Sequence, residues 1–264
     1  MKRFPIFACI VSILLIAACV IPGMAAPTAT PAPTNTNTPE PTFTPLPTET
    51  PTLVPTSTPD KTATAIVAAT ETADAVRSEL DTVLGDTEIA YKEGHLAWQQ
   101  TKPISIHLHG PSNDFMEVSR NLTTGDFILK TDATWNATGL LVCGVIFRSE
   151  PSIEDGKQYQ FLFMRFSGLP AWDIEVHEFG YFKNSPTDIQ YSAAVDQGNN
   201  ATNQIILVAR QEQFNLYINK VSQGRYFDYS KQRMNGVFAF LAAQESGDGS
   251  CEYENSWIWS LDKD

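Results

Sequence analysis

The stretch NQIILVARQEQFNLYIN (203–219) contains two short runs, 204–209 and 214–219, rich in β-branched and aromatic residues and separated by polar residues. That is the pattern of two strands folded back on one another. Similar runs occur on either side, at 126–135, 140–147, 159–166, 172–179, 188–195, 236–242 and 251–261, with turn residues between them. Many alternate apolar and polar side chains. Beyond Ile89 roughly 175 residues remain, enough for one domain with a sizeable core, and none of that span sustains a helical period. An all-β sandwich or jelly roll is therefore expected rather than an α/β fold.

The hairpin also carries a resemblance. Asn203 to Asn219, followed by a turn and the segment 236–261, resembles the closing strands of concanavalin A-like lectin/glucanase (LamG-like) jelly rolls. Tyr217, Ile218 and Asn219 stand where that superfamily has Y-I-N-G, with Lys220 in place of the glycine, and Glu254, Asn255, Ser256, Trp257 and Ile258 stand in its last strand. The resemblance covers about 125–261 and implies a two-sheet jelly-roll sandwich. It does not fix a function, because lectins, glycosidases and non-catalytic extracellular modules share the fold.

Chemistry concentrates in WDIEVHEFG (172–180). On a strand, Trp172, Ile174 and Val176 point one way while Asp173, Glu175 and His177 point the other. Glucanases of the resembled type carry E-x-D-x-x-E on such a strand. Here Asp173, Glu175 and Glu178 keep the spacing with Asp and Glu exchanged, which shortens the side chain at the nucleophile position. A retaining pair needs carboxyls about 5–5.5 Å apart. The same face also suits ligand binding, with carboxylates accepting hydrogen bonds from sugar hydroxyls and the adjacent rings of Phe179, Tyr181 and Phe182 at a strand end where ligand contacts gather. Asp173, Glu175, His177, Phe179 and Tyr181 are thus the candidate ligand-binding residues. Asp173, Glu175 and Glu178 are the catalytic alternative. A second aromatic group, 225–229, is expected at a loop edge.

The beginning of the chain reads differently. Lys2 and Arg3 precede an apolar run to Val20, the pattern of a secretory signal, and Ile16, Ala17, Ala18 and Cys19 match a bacterial lipobox, so 1–19 is expected to be a lipoprotein signal peptide with Cys19 the lipidated residue; plain secretion after cleavage near Ala25 is the alternative. From Pro27 to Pro59 there are 10 Pro and 12 Thr in 33 residues. Such a segment buries too little to order itself, and at about 3.1 Å per residue it spans on the order of 100 Å. The expectation for 20–59 is a disordered stalk. Residues 60–85 read as a helical neck, with Asp60 as N-cap and Ile66, Ala69, Ala73, Val76, Leu80 and Val83 along one seam. That seam suits packing against the β domain, placed at 86–264, or a weak coiled coil.

With Cys9 discarded and Cys19 lipidated, Cys143 and Cys251 are left as an even pair for a disulfide in an exported protein. The net charge of −12 and pI near 4.7 disfavour nucleic acid, whose phosphates need basic patches. No GxGxxG, P-loop, GxSxG or HExxH motif occurs, which removes dinucleotide enzymes, NTPases, α/β-hydrolases and zincins. His95, His107 and His109 lack a further ligand at metal-binding spacing, and no cofactor is expected; the turns 196–200 and 246–250 offer calcium oxygen ligands, but turn chemistry alone accounts for them. The leading expectation is a cell-surface, non-catalytic binding module for a glycan or another extracellular ligand, anchored by lipid to the outer face of the membrane. A glycoside hydrolase and a protein-interaction domain are the alternatives.

Overall fold

The computed structural model describes residues 61–85, 87–166 and 168–262. The signal peptide, the lipobox Cys19, the stalk and Asp60 lie outside the described residues. A helix, α1 (Lys61–Leu84), comes first. The strands are β1 (His95–Gln99), β2 (Ile104–His109), β3 (Ser112–Glu117), β4 (Phe127–Ala137), β5 (Leu141–Ser149), β6 (Gln158–Phe166), β7 (Leu169–Glu178), β8 (Tyr181–Asn184), β9 (Gln190–Tyr191), β10 (Ala201–Arg210), β11 (Gln213–Ile218), β12 (Val221–Phe227), β13 (Val237–Gln244) and β14 (Asp248–Ser260). They form two antiparallel seven-stranded sheets. The back sheet runs β1-β14-β4-β10-β11-β12 with β2 also on β14, and the front sheet runs β3-β13-β5-β6-β7-β8 with β9 also on β7. The chain is an all-β jelly-roll sandwich.

Inward-facing residues of the two sheets make the main core. Phe127, Trp135, Phe147, Tyr159, Phe161, Phe163, Trp172, Phe214 and Phe238 are all buried there, with rings meeting edge to face as their quadrupoles favour. The disulfide between Cys143 on β5 and Cys251 on β14 crosses from front to back sheet, with a Cα separation of 5.8 Å. Nearby, the Tyr253 hydroxyl reaches into the ladder between β5 and β13. It accepts from Gly144 N–H at 2.9 Å and donates to Leu241 O at 2.5 Å. Gly144 is required there, because a Cβ would sit 2.3 Å from Phe161 O.

The outward face of the back sheet is not left to solvent. Ile128, Ile206, Val208, Trp257 and Trp259 form a second apolar cluster with Val76, Leu80 and Leu84 of α1 and with Ile89 and Tyr91 beyond it. Polar contacts fix the docking: Trp257 Nε1 donates to Glu79 at 3.0 Å, and the Tyr91 hydroxyl donates to Asp81 at 2.6 Å. Lys130, almost wholly buried, lies 3.5 Å from Glu79 and 3.1 Å from Asp132. Of the predicted seam, Val76, Leu80 and Val83 therefore face the β domain, while Ala69 is exposed.

Several expected strands shift. The run 188–195 contributes only Gln190–Tyr191 to a sheet, and the 225–229 group lies partly on β12 rather than in a loop. At the β11–β12 turn, Asn219 and Lys220 both adopt positive φ, 49° and 68°, the geometry of a two-residue type I′ hairpin. Asn-Gly is the favoured pair for that turn, so Lys220 is held in a strained backbone region by its setting.

Candidate functional site

Alternation along β7 decides what each polar side chain can reach. Trp172, Ile174 and Val176 enter the core, so Asp173, Glu175 and His177 face outward from the front sheet. The pairing of β7 with β6 is regular from Leu169 to His177, with His177 opposite Gln158 and Glu175 opposite Gln160. On the other edge of β7 the register against β8 shifts between Val176 and His177, and Glu178 pairs with Tyr181 at the turn.

The outward face of the front sheet holds a groove of about 810 Å³. Its floor is apolar, from Val142 and Ile146 of β5, Leu162 of β6 and Leu241 of β13. One flank is formed by Gln158, Gln160, Glu175 and His177, and the other by Asn113, Asp114 and Phe115 of β3. At one end the 150–157 loop, carrying Ile153, Glu154 and Asp155, meets the β7–β8 turn, where Phe179 N–H donates to Asp155 O at 3.0 Å. Phe179 and Tyr181 stand on that turn with 65% and 75% of their surface exposed. Phe179 has a positive φ of 55°, a conformation costly for a bulky residue and kept where surrounding contacts enforce it.

Glu175, His177, Phe179 and Tyr181 thus line one groove. His177 Nε2 and Glu175 Oε2 are 2.6 Å apart, fixing the imidazole against the carboxylate, and the Phe182 ring meets the imidazole edge to face at 6.1 Å. Asp173 is placed elsewhere. It is buried, accepting from Ser185 Oγ at 2.5 Å and from Thr187 Oγ1 at 2.6 Å, and so fastens the segment after β8 to β7. Burial pushes its carboxyl above the ordinary aspartate value, while the two hydroxyl donors act to lower it. Glu178 is not among the groove residues and instead meets Lys183 at 3.3 Å.

The second aromatic group divides. Tyr226 packs its ring edge on Trp172 at 5.3 Å, and buried Asp228 accepts from the Tyr159 hydroxyl at 2.6 Å. Phe227 and Tyr229, stacked on each other at 5.6 Å, are exposed. His107 pairs with Ser105 and His109 with Asp248. Among the described residues no three metal-ligating side chains gather. Asp196 Oδ1 accepts from Gly198 N–H within its turn.

The sheet order, the transfer of the chain from back to front between β4 and β5, and an open groove on one sheet decide the fold type. The domain is a two-sheet antiparallel jelly roll. No protein-family model matches the sequence, and no curated protein matches it. Among solved structures it is similar to a carbohydrate binding module from Bacillus subtilis, at 14% identity and a TM-score of 0.44, over 58% of this chain and 86% of that one. A β-glucanase from Bacillus licheniformis gives 9% and 0.43 over 61% and 79%. The laminarinase catalytic domain of Thermotoga maritima gives 7% and 0.45 over 66% and 82%.

Groove residues that sequence reading did not single out include Gln158, Gln160 and Leu162. Their parity was available: Tyr159, Phe161 and Phe163 alternate with them and are natural core residues, which leaves the other three to face outward.

Proposed function

We propose that this protein is an exported, non-catalytic glycan-binding module whose ligand lies in the front-sheet groove. What carries the reading is the groove itself: an apolar floor, polar flanks and two strongly exposed rings at one end. Sugars present apolar ring faces and polar edges, and a cleft that mixes apolar walls with a few placed polar groups is the usual form of a ligand site. Against hydrolysis stands the division of the carboxylates. Glu175 faces the groove and is engaged by His177, whereas Glu178 is held at Lys183; a pair flanking one glycosidic bond from the same side needs both in the cleft.

Tyr181→Ala is expected to weaken binding of the best ligand from an oligosaccharide array by about tenfold, the scale of a lost aromatic anchor, with the melting temperature unchanged and no product released by the parent protein. Equal affinity in parent and variant would remove the groove from consideration, and product release would restore the hydrolase reading.

The same proposal places the domain at the outer face of the membrane by acylation of Cys19, with 20–59 as spacer. Acyl chains anchor through burial of their methylenes. In cell fractionation, Cys19→Ser is expected to move the protein from the membrane to the soluble fraction; identical distribution of the two proteins would refute lipidation.

A further inference from the structure

The groove is unbalanced in its hydrogen-bonding groups. Asp114, Glu154, Asp155 and Glu175 bring four carboxylates to it, and among the described residues that line it there is no lysine or arginine. Glu175 uses Oε2 on His177, and among the described residues its Oε1 has no hydrogen-bond donor. Gln158 adds a second, independent sign. It is only 3% exposed, its Nε2 donates to Ile153 O at 3.0 Å, and its buried Oε1 has no partner. Buried acceptors without donors are unfavourable, and native proteins rarely leave them so unless something else supplies the donor. His177 spends its Nε2 on Glu175, which leaves only Nδ1 for another partner.

An acceptor-rich, negatively charged cleft calls for a donor-rich ligand. A sugar hydroxyl offers one donor, whereas an ammonium offers three together with a positive charge. Anionic sugars bring more acceptors and like charge. We propose that the groove selects amine-bearing glycans, with Glu175 as the carboxylate that receives the ammonium and with uronate-type polysaccharides rejected. This selectivity rests on the glycan-binding reading above and goes beyond it by naming the ligand class.

The test is calorimetric titration of the full chain with four oligosaccharides of equal length: a glucosamine oligomer, its N-acetylated counterpart, a neutral glucan and a galacturonate. At low salt the glucosamine oligomer is expected to bind at least about tenfold more tightly than the N-acetylated one, with the ratio shrinking as salt screens the charge, and the galacturonate is expected not to bind. Glu175→Gln should bring the ratio below about threefold. Glu252→Gln, which removes an exposed charge from the back sheet, should leave it intact. An unchanged ratio in Glu175→Gln, or an equal fall in Glu252→Gln, would mean that net charge alone attracts the amine and would overturn the proposal. So would neutral or N-acetylated oligomers binding as tightly as the amine, although glycan binding itself would then survive. Failure of all four to bind would overturn both.

Discussion

Removing the Cys143–Cys251 disulfide lowers the unfolding free energy of the domain by about 2–5 kcal/mol. The bond joins residues separated by 108 positions, and in the chain-entropy account a loop of about 100 residues restricts the unfolded ensemble by roughly 4–5 kcal/mol. The paired Cys143→Ala and Cys251→Ala variant leaves a small gap in a core where both residues are fully buried, which adds to the loss. Denaturant titration of parent and double variant measures it. A shared midpoint would mean that the unfolded chain gains nothing from release of the link. Because both sulfurs are buried, reductant should act on the native protein only as fast as the sandwich opens, so reduction is expected to accelerate sharply in mild denaturant.

Arg148→Ala should cost about 3–5 kcal/mol. Its guanidinium, with no exposed side-chain surface, donates to Gly125 O at 2.8 Å and Gln211 O at 2.6 Å, and approaches Asp126 at 3.4 Å. It also lies over the Phe214 ring at 5.7 Å. One side chain thus ties the start of β4, the end of β5 and the β10–β11 turn. Burial lowers the guanidinium pKa, opposed mainly by Asp126, yet arginine stays charged at any working pH. Truncation leaves two carbonyls and a carboxylate without their cation. Arg148→Lys should recover only part of the loss, since a point charge cannot serve three acceptors in a fixed fork. Denaturation of both variants checks this, and a loss under about 1 kcal/mol for alanine would show that water replaces the guanidinium freely.

The fold was largely legible because its central strands bury at least one face. Strands β4, β5, β6, β7, β10, β11, β13 and β14 all fall on runs recognised from composition and alternation. The missed strands β1, β3, β8 and β12 all lie at sheet edges: β8 is exposed at every position, and β3 and β12 at most. The residues of these last three pack against little, so they leave no hydrophobic period, and backbone pairing with a neighbour alone makes them strands. The heptad-like seam of α1 was visible, but its partner was not. The uninterrupted run Ile205 to Ala209 was the signal, since a strand apolar on both faces must be covered on both, and α1 supplies the second cover.

For the site, legibility stopped at one strand. Parity along β7 placed Glu175 and His177 together, whereas Val142, Ile146, Leu162 and Leu241 read as ordinary core. Sequence distinguishes apolar from polar faces; it does not distinguish a face covered by a helix from one left open as a groove. Asp173 shares its face with Glu175 but lies further along the strand, where Ser185 and Thr187 fold over it, and such coverage from a distant segment has no local signature.

The position of α1 has a mechanical consequence. Helix α1 lies on the back sheet, while the groove opens on the front sheet, so a pull applied between α1 and the groove is transmitted through the thickness of the sandwich. Helix α1 is held on the back sheet by side chains alone and should peel away first, lengthening the connection while the groove keeps its shape. Beyond that point the load reaches the sheets, where the Cys143–Cys251 bond is the covalent rivet between the side that is pulled and the side that holds.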